Sequence, residues 1–462
     1  MLTHALRTTL TGRPDAPLVL LGNFEVEEQW ATGEQGLPTV SMPASKAIVH
    51  RMDEFALLLA GPGDSVVLKT APDPGYLAYL RELGLASATV LTPAGQEPHR
   101  TVTGDALADP SLGAELARAA AAGAWLWPHG VSAMEERLAA VAGIPLAGPP
   151  ERVCKAVNSK IYSRLVADDT GVPQPAGLVC RDIDEWDAAC ELATTWLADG
   201  RPVVVKDAFG VSGKGILVVR APDRLASLRR LIARRADRSG RRELSLVVEE
   251  WLPKQTDLNY QFTVGRDGSV HWDFVREALT SNGVHKGHRM PAGLTQAQVG
   301  ELMATATALG SRLGRDGFYG VVGVDALTCV DGRLYPMIEI NARNNMSTYQ
   351  ERLRVTLVPA GHTALATQYP LRLAEPVTFD RLRELLDGLL LAPGGARGAV
   401  INNFATVNAG ASTRRGELFD GRLYAVVVAE TTERIAELDR AIGERLGTWD
   451  GRAAQVPATS AR

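Results

Sequence analysis

Cysteine is scarce in this chain of 462 residues: four in all, Cys154, Cys180, Cys190 and Cys329. No two form a CxxC pair, which excludes a disulfide framework and a zinc-ribbon site. The thiols read as buried small hydrophobes in a reducing cytoplasm. An excess of one charge is also missing. Forty-nine Lys and Arg stand against 53 Asp and Glu, a net charge of −4, so no global field marks nucleic acid as a partner. No apolar run approaches membrane-spanning length. Leu18-Val19-Leu20-Leu21 is too short for a signal-peptide core and reads as a strand. The familiar phosphate-binding fingerprints are absent: there is no GxxxxGK[ST], and no GxGxxG between a strand and a helix. Repeats and low-complexity segments are absent as well.

What is present is ordinary globular composition, 45% hydrophobic and 22% charged, in a chain long enough for two to four domains. Over residues 15–150, short apolar runs (17–21, 65–68, 88–91) alternate with amphipathic stretches (45–60, 75–83, 111–122). That alternation predicts a parallel sheet covered by helices. The turn at 144–150 closes this unit. A helix over 151–170 follows, stopped by Gly171 and the prolines beyond it. From 175 to 350 the pattern is mixed: strands at 201–207, 215–220 and 245–251, an arginine-rich helix over 224–242, and a hairpin at 258–266 and 269–276. The last segment mixes strand (424–429) and amphipathic helix (from 432). The expected division is 1–150, 151–365 and 366–462, an α/β unit followed by α+β units.

The most informative residues lie near position 340. Val321–Leu327 and Leu334–Ile340 read as strands joined by a turn at Val330-Asp331-Gly332-Arg333. Such a hairpin sets Asp325 beside Glu339. Period two then places Glu339 and Asn341 on one face and Ile340 on the other. Two carboxylates and an amide oxygen on one point suit Mg²⁺, a hard cation that keeps room for phosphate oxygens. Two strand-end acids in separate solvated positions fit the same residues equally well.

Upstream, Pro202-Val203-Val204-Val205-Lys206 is a buried strand ending in a lysine. It runs into a loop containing Gly210, Ser212, Gly213 and Gly215. A lysine beside glycines suits polyphosphate, through point charge and close backbone approach; a plain Gly-rich turn is the simpler reading. Lys160 offers a second charge. The strand ending Glu249-Glu250-Trp251-Leu252 leads into a linker that can offer a base a flat apolar slot, and Asp257 can accept ribose hydroxyls.

In this order the motifs resemble the ATP-grasp ligase superfamily, over roughly residues 150–350. The segment from Glu339 to Tyr349 is similar to the branch of peptide ligases and acyl-carrier ligases from natural-product pathways. The resemblance implies an ATP-grasp fold with an N-terminal parallel-sheet pre-ATP-grasp domain, two lobes hinged near 249–257, and a small C-terminal α+β domain. It implies ATP and Mg²⁺ as cofactors. Lys160, Lys206 and the glycine loop would take the phosphates, Glu249, Trp251 and Leu252 the adenine, and Asp325, Glu339 and Asn341 the metal. Arg343 would sit near the transferred phosphate. Some members carry an arginine two residues before the first metal acid; Gly323 stands there, so Arg343, Arg276 or Arg289 must supply that charge. The implied reaction joins a small carboxylate to an amine through an acyl phosphate, giving ADP and phosphate. The alternatives are a carrier-protein thiol as acceptor, phosphoryl transfer alone, and an inactive nucleotide-binding scaffold. Relatives with this first domain often dimerise.

The basic cluster Val284-His285-Lys286-Gly287-His288-Arg289 reads as a loop able to bind substrate, or simply as a solvated one. The arginine helix reads first as a solvated face, then as a surface for an acidic carrier protein, and least as one for nucleic acid.

Overall fold

The computed structural model describes residues 2–38, 43–85, 88–210, 215–281, 284–411 and 417–449. Its first sheet is parallel, with strands β1 (Leu18–Leu21), β2 (Ser65–Val67), β3 (Thr89–Leu91) and β4 (Trp125–Pro128) in the order β3-β2-β1-β4. Helices at Pro74–Glu82, Val102–Ala108, Pro110–Ala121 and Ala133–Ala142 belong to this unit. The βα reading of the first 150 residues therefore holds, although β4 and the helices Val102–Ala108 and Ala133–Ala142 lay outside it. The expected helix over 45–60 breaks into an α-helix (Pro43–His50) and a 3-10 segment (Met52–Leu58).

The second sheet contains β5 (Gly177–Asp182), β6 (Val203–Asp207), β7 (Ile216–Val219) and β8 (Glu243–Glu250), in the order β5-β8-β6-β7. All its pairings are antiparallel. Helices Ile183–Ala198 and Pro222–Ser239 cover one face around Trp186, Ile232 and Val205. This sheet is one lobe.

The third sheet has eight antiparallel strands: β9 (Lys254–Val264), β10 (Val270–Ser281), β11 (Val284–Met290), β12 (Gly320–Cys329), β13 (Leu334–Asn341), β14 (Thr363–Leu373), β15 (Gly398–Asn403) and β16 (Phe419–Ala429). Their order is β13-β12-β9-β10-β11-β14-β16-β15. The expected C-terminal domain from 366 is thus corrected. Position 366 lies inside β14, and β14 pairs with β11, so the C-terminal strands extend the same sheet. The core under them runs on into the N-terminal unit, from Tyr76 and Phe55 to Phe379 and Val426.

The helix expected over 151–170 is two, Glu151–Val157 and Lys160–Thr170. Asn158 follows the first as its C-cap, and Ser159 caps the second, its Oγ accepting from Ile161 N at 3.2 Å. The break matters for the site, because it puts Lys160 at the first helical position. There its backbone N–H donates to the Ala208 carbonyl at 2.9 Å.

Candidate active site

The turn read at 330–333 is present: Gly332 N donates to Cys329 O at 2.9 Å, and β13 starts at Leu334. In the resulting hairpin Asp325 lies opposite Glu339, and on the other side of β12 it lies opposite Asn259. Ile340 points away into the core. Asn259 Nδ2 donates to Asp325 Oδ1 at 2.9 Å and Asn341 Nδ2 to Oδ2 at 3.2 Å. Burial, and then the charge of Glu339, push the Asp325 carboxyl up to about 6. Among the described residues no three His, Cys, Asp or Glu side chains form a closed metal cage. Two carboxylates and an amide fit a cation that completes its shell with ligand oxygens, as Mg²⁺ does.

Two cationic groups reach this point from other elements. Lys160 Nζ donates to Glu339 Oε1 at 2.7 Å and to the Gly210 carbonyl at 2.8 Å. Lys206, near the end of β6, donates to Glu249 Oε2 at 2.5 Å, and Arg164 holds the other oxygen of Glu249 at 3.1 Å. Arg164 was not anticipated, yet its signal was present: it lies four residues after Lys160, on the same face of one helix. Glu249 therefore faces the lysine. Glu250, Trp251 and Leu252 line the adjoining wall. There Leu252 packs on Leu327 and Cys329. Asp257 is held by Lys254 and by Thr280, each at 2.5 Å. Gly215, at φ +75°, accepts on its carbonyl from Asp207 N at 2.7 Å and closes the glycine loop. Ser212 and Gly213 lie outside the described residues.

Much of this lines one cavity of 290 Å³, with Lys160 and Arg164 behind its wall, bonded to the lining residues Glu339 and Glu249. Its lining includes Lys206, Gly210, Glu249, Trp251, Leu252, Asp257, Asp325, Glu339, Asn341 and Arg343. Arg343 follows β13 directly. Its Nε donates to Glu27 Oε1 at 2.6 Å and Nη2 to Asn341 Oδ1 at 3.0 Å. Glu27 belongs to the N-terminal unit, and nothing local in the sequence marks it.

The other two arginines expected here are corrected. Arg276 is 1% exposed and lies outside the cavity lining. It is bound to Glu351 Oε2 at 2.5 Å and to the Ser347 carbonyl at 2.8 Å. Its role is to anchor the helix Met346–Leu357 beneath the site. Arg289 pairs with Glu277 at 2.9 Å, outside the cavity lining. The physical reason is strand periodicity, since the segment read as a basic loop is β11. A bulge where Thr280 pairs with His285 and Leu279 with Gly287 brings His285 and His288 to the same face. Those histidines line the cavity, with Nε2 atoms 3.2 Å apart, and His288 Nδ1 meets Gln350 Oε1 at 2.9 Å. Burial holds His285 down at about 4. The bulge is not readable from alternation, so the two histidines were named only as part of a basic segment and not as a pair on one face.

Gly323 has a clear reason. A Cβ there would lie 2.4 Å from Asn345 Nδ2. Asn345 fills the space that an arginine at 323 would use.

A family model for the "Pre ATP-grasp domain" matches residues 52–144. A second, for the "Carbamoyl-phosphate synthase L chain, ATP binding domain", matches residues 160–350. Together they span more than half of the chain. The chain belongs to the ATP-grasp superfamily. A relative from Niallia circulans, "[Butirosin acyl-carrier protein]--L-glutamate ligase", is 28% identical over 329 residues, which is 70% of this chain and 71% of the relative. Among solved structures, the N5-carboxyaminoimidazole ribonucleotide synthetase from Thermus thermophilus aligns with a TM-score of 0.52 at 16% identity, covering 94% of this chain and 98% of that one. A biotin carboxylase complex from Campylobacter jejuni aligns at 0.53 and 15% identity, covering 92% and 90%. At these identities the structures show the ATP-grasp fold and no more. Among the described residues no helix is long and apolar enough to cross a membrane.

Proposed function

We propose that this ATP-grasp ligase activates a small carboxylate as an acyl phosphate and passes the acyl group to an amine, releasing ADP and phosphate. The observation that carries the reading is the convergence on one cavity of a carboxylate pair from adjacent strands, Lys206 and Arg343, with Lys160 bonded to one of those carboxylates from behind.

A carboxylate is a poor acylating agent because its leaving group would be oxide. Transfer of the terminal phosphoryl group to it makes phosphate the leaving group. The amine then attacks the acyl carbon, the C–O bond to phosphate breaks, and the amine proton is lost to solvent or product phosphate. The protein has mainly to position and to neutralise charge. Lys160 and Lys206 are pre-held by Glu339 and Glu249 beside the glycine loop, where phosphate oxygens would take over their donors. Arg343 is steered by Glu27 and Asn341 toward the centre where negative charge develops. Bound Mg²⁺ would neutralise the transferring phosphoryl group, and Asp325, Glu339 and Asn341 are the donors present to hold it. The apolar wall of Val204, Ile216, Leu252 and Leu327 suits a flat base.

The Niallia circulans relative, by its name, joins L-glutamate to a carrier protein. That favours a second form of the same chemistry, in which the acceptor is held on an acyl carrier protein and the attacking atom is a phosphopantetheine thiol. The deciding experiment is an ATP-turnover screen of amino acids and short peptides with hydroxylamine present. A hydroxamate together with ADP and phosphate is expected. AMP and pyrophosphate would overturn the acyl-phosphate route, and absence of turnover with every acid would point to an inactive scaffold. Mass analysis of a carrier incubated with ATP and the active acid separates thiol from amine acceptors.

A further inference from the structure

The helix Pro222–Ser239 carries Leu225, Leu228, Ile232 and Ala236 on its buried face. At 100° per residue the face opposite them holds Arg230, Arg234 and Arg238, flanked by Arg224 and Arg235. These five arginines are exposed. Among the described residues the ion pairs of this region reach only Arg229, through Asp187 and Glu191, and Arg242, through Asp184. Among those same residues the five have no carboxylate within ion-pair distance, although Asp223 and Asp237 sit on the same side of the helix. Arg230, Arg234 and Arg238 follow one another at i,i+4, a like-charge spacing that destabilises a helix. Leu231, 44% exposed, lies within the stripe. In a chain of net charge −4, this is a concentrated basic strip, about 21 Å long from Arg224 to Arg238 at 1.5 Å per residue, with an apolar anchor.

Its placement relates it to the cavity. Arg235 Nη1 donates to the Gly36 carbonyl at 3.1 Å, and the next residue, Leu37, donates its N–H to Asp207 Oδ1 at 2.5 Å. Asp207 adjoins Lys206. The C-terminal half of the strip thus stands beside the phosphate-binding end of its lobe.

We propose that this strip docks an acidic carrier protein that presents the tethered acceptor to the cavity. The proposal rests on the carrier-protein form of the function above. Charge complementarity is the argument for the occupant. A single helix with no aromatic side chain in its basic face and an exposed leucine at its centre fits an acidic helix better than a nucleic-acid backbone, which asks for stacking platforms or a groove-filling element.

The test compares the full-length wild type with Arg230→Glu/Arg234→Glu/Arg238→Glu, and with the neutral Gln triple as a gentler variant. The first assay is hydroxamate formation with free hydroxylamine. The second is transfer of the same acid to a purified, acidic holo acyl carrier protein. Hydroxamate formation should be unchanged in both variants. The KM for the carrier should rise about tenfold or more in the Glu triple and less in the Gln triple. For the wild type it should rise steeply between about 50 and about 300 mM NaCl. Unchanged carrier KM in both variants, or loss of both assays in the Gln triple, overturns the docking surface. If the wild type forms no hydroxamate the ligase reading fails instead, and direct titration of carrier against wild type and variants still decides the docking. Binding of a short DNA duplex that is lost in the same variants, with no carrier binding, overturns the proposal in favour of nucleic acid.

Discussion

Arg343 Nε donates to Glu27 Oε1 at 2.6 Å, across 316 positions of sequence, and so ties the end of β13 to the N-terminal unit. Both groups are mostly buried, at 13% and 12% side-chain exposure. The pair fixes the direction of the guanidinium, which also contacts Asn341 and the Asn344 carbonyl. Removing the donor should therefore cost more than removing its guide. Arg343→Ala is expected to lower kcat about 100-fold or more with little change in KM for ATP. Arg343→Lys should fail to restore it, because an ammonium cannot span Glu27, Asn341 and a substrate oxygen at once. Glu27→Gln should lose less, about tenfold. Steady-state ADP release decides the matter, and wild-type kcat in Arg343→Ala would remove this residue from the proposed chemistry.

At Asp325 stability should trade against turnover. Asp325 is buried, and its carboxyl is raised by burial and by the neighbouring Glu339. Without a cation, ionised Asp325 is a cost to the fold. Asp325→Asn and Glu339→Gln are expected to reduce ATP turnover by about 100-fold or more; without Mg²⁺, Asp325→Asn should be as stable as wild type or more so, whereas Glu339→Gln should be less stable, because buried Lys160 loses its carboxylate partner. Mg²⁺ should raise the melting temperature of the wild type and not of either variant. Differential scanning fluorimetry with and without Mg²⁺ reads this. Equal Mg²⁺ shifts in all three proteins would dissociate these residues from the metal.

The hairpin around Asp325 and Glu339 was legible because its signals are local: a turn sequence, period-two alternation and a run of apolar residues on the opposite face. The strand that carries Lys206 was legible for the same reason. Glu27 was not, since no local pattern records a contact made by a domain fold. The pairing of His285 and His288 was hidden by the bulge in β11, which changes which residues share a face without changing composition. The arginines were misread for a related reason: charge near a site says nothing about which way a strand turns it. Helix boundaries failed where a cap competed with periodicity, as at Ser159.

Arg276 is a structural prediction of the opposite kind. It is fully enclosed, bonded to Glu351, Ser347 and Gln350, and stacked on Phe274 at 4.1 Å. Among the described residues, Arg276→Ala would leave Glu351 with the half-exposed Arg354 as its one ion-pair partner. A loss of about 3 kcal/mol in unfolding free energy is expected from breaking such a pair. Arg276→Met with Glu351→Leu should recover much of it. Arg289→Ala, on the exposed pair with Glu277, should change stability by less than about 1 kcal/mol. Urea unfolding measures all three, and a stable Arg276→Ala with poor substrate KM would return that residue to the substrate site.

The N-terminal unit should carry a pH signature of its own. Glu25 is 4% exposed, and among the described residues its Oε1 has no hydrogen-bond partner. Burial, reinforced by the charges of Glu135 and Asp53, pushes its carboxyl up to about 8. Glu54 is raised by burial to about 7, although its Oε2 accepts the N–H groups of Phe404 and Ala405 at 2.6 and 2.7 Å. In the unfolded chain a glutamate titrates near 4.5. Between that value and the folded one, the native protein holds a proton that the unfolded chain has released. Stability from these groups is therefore full below the unfolded value and is lost as pH rises through the folded value. Glu54 contributes to the decline up to about 7 and Glu25 up to about 8. Glu25→Gln keeps the shape and removes the titration, so its urea midpoint should fall less between pH 5 and pH 8 than that of the wild type, and should exceed it at pH 8. Parallel pH dependence in the two proteins would show that Glu25 ionises in the fold much as it does in water.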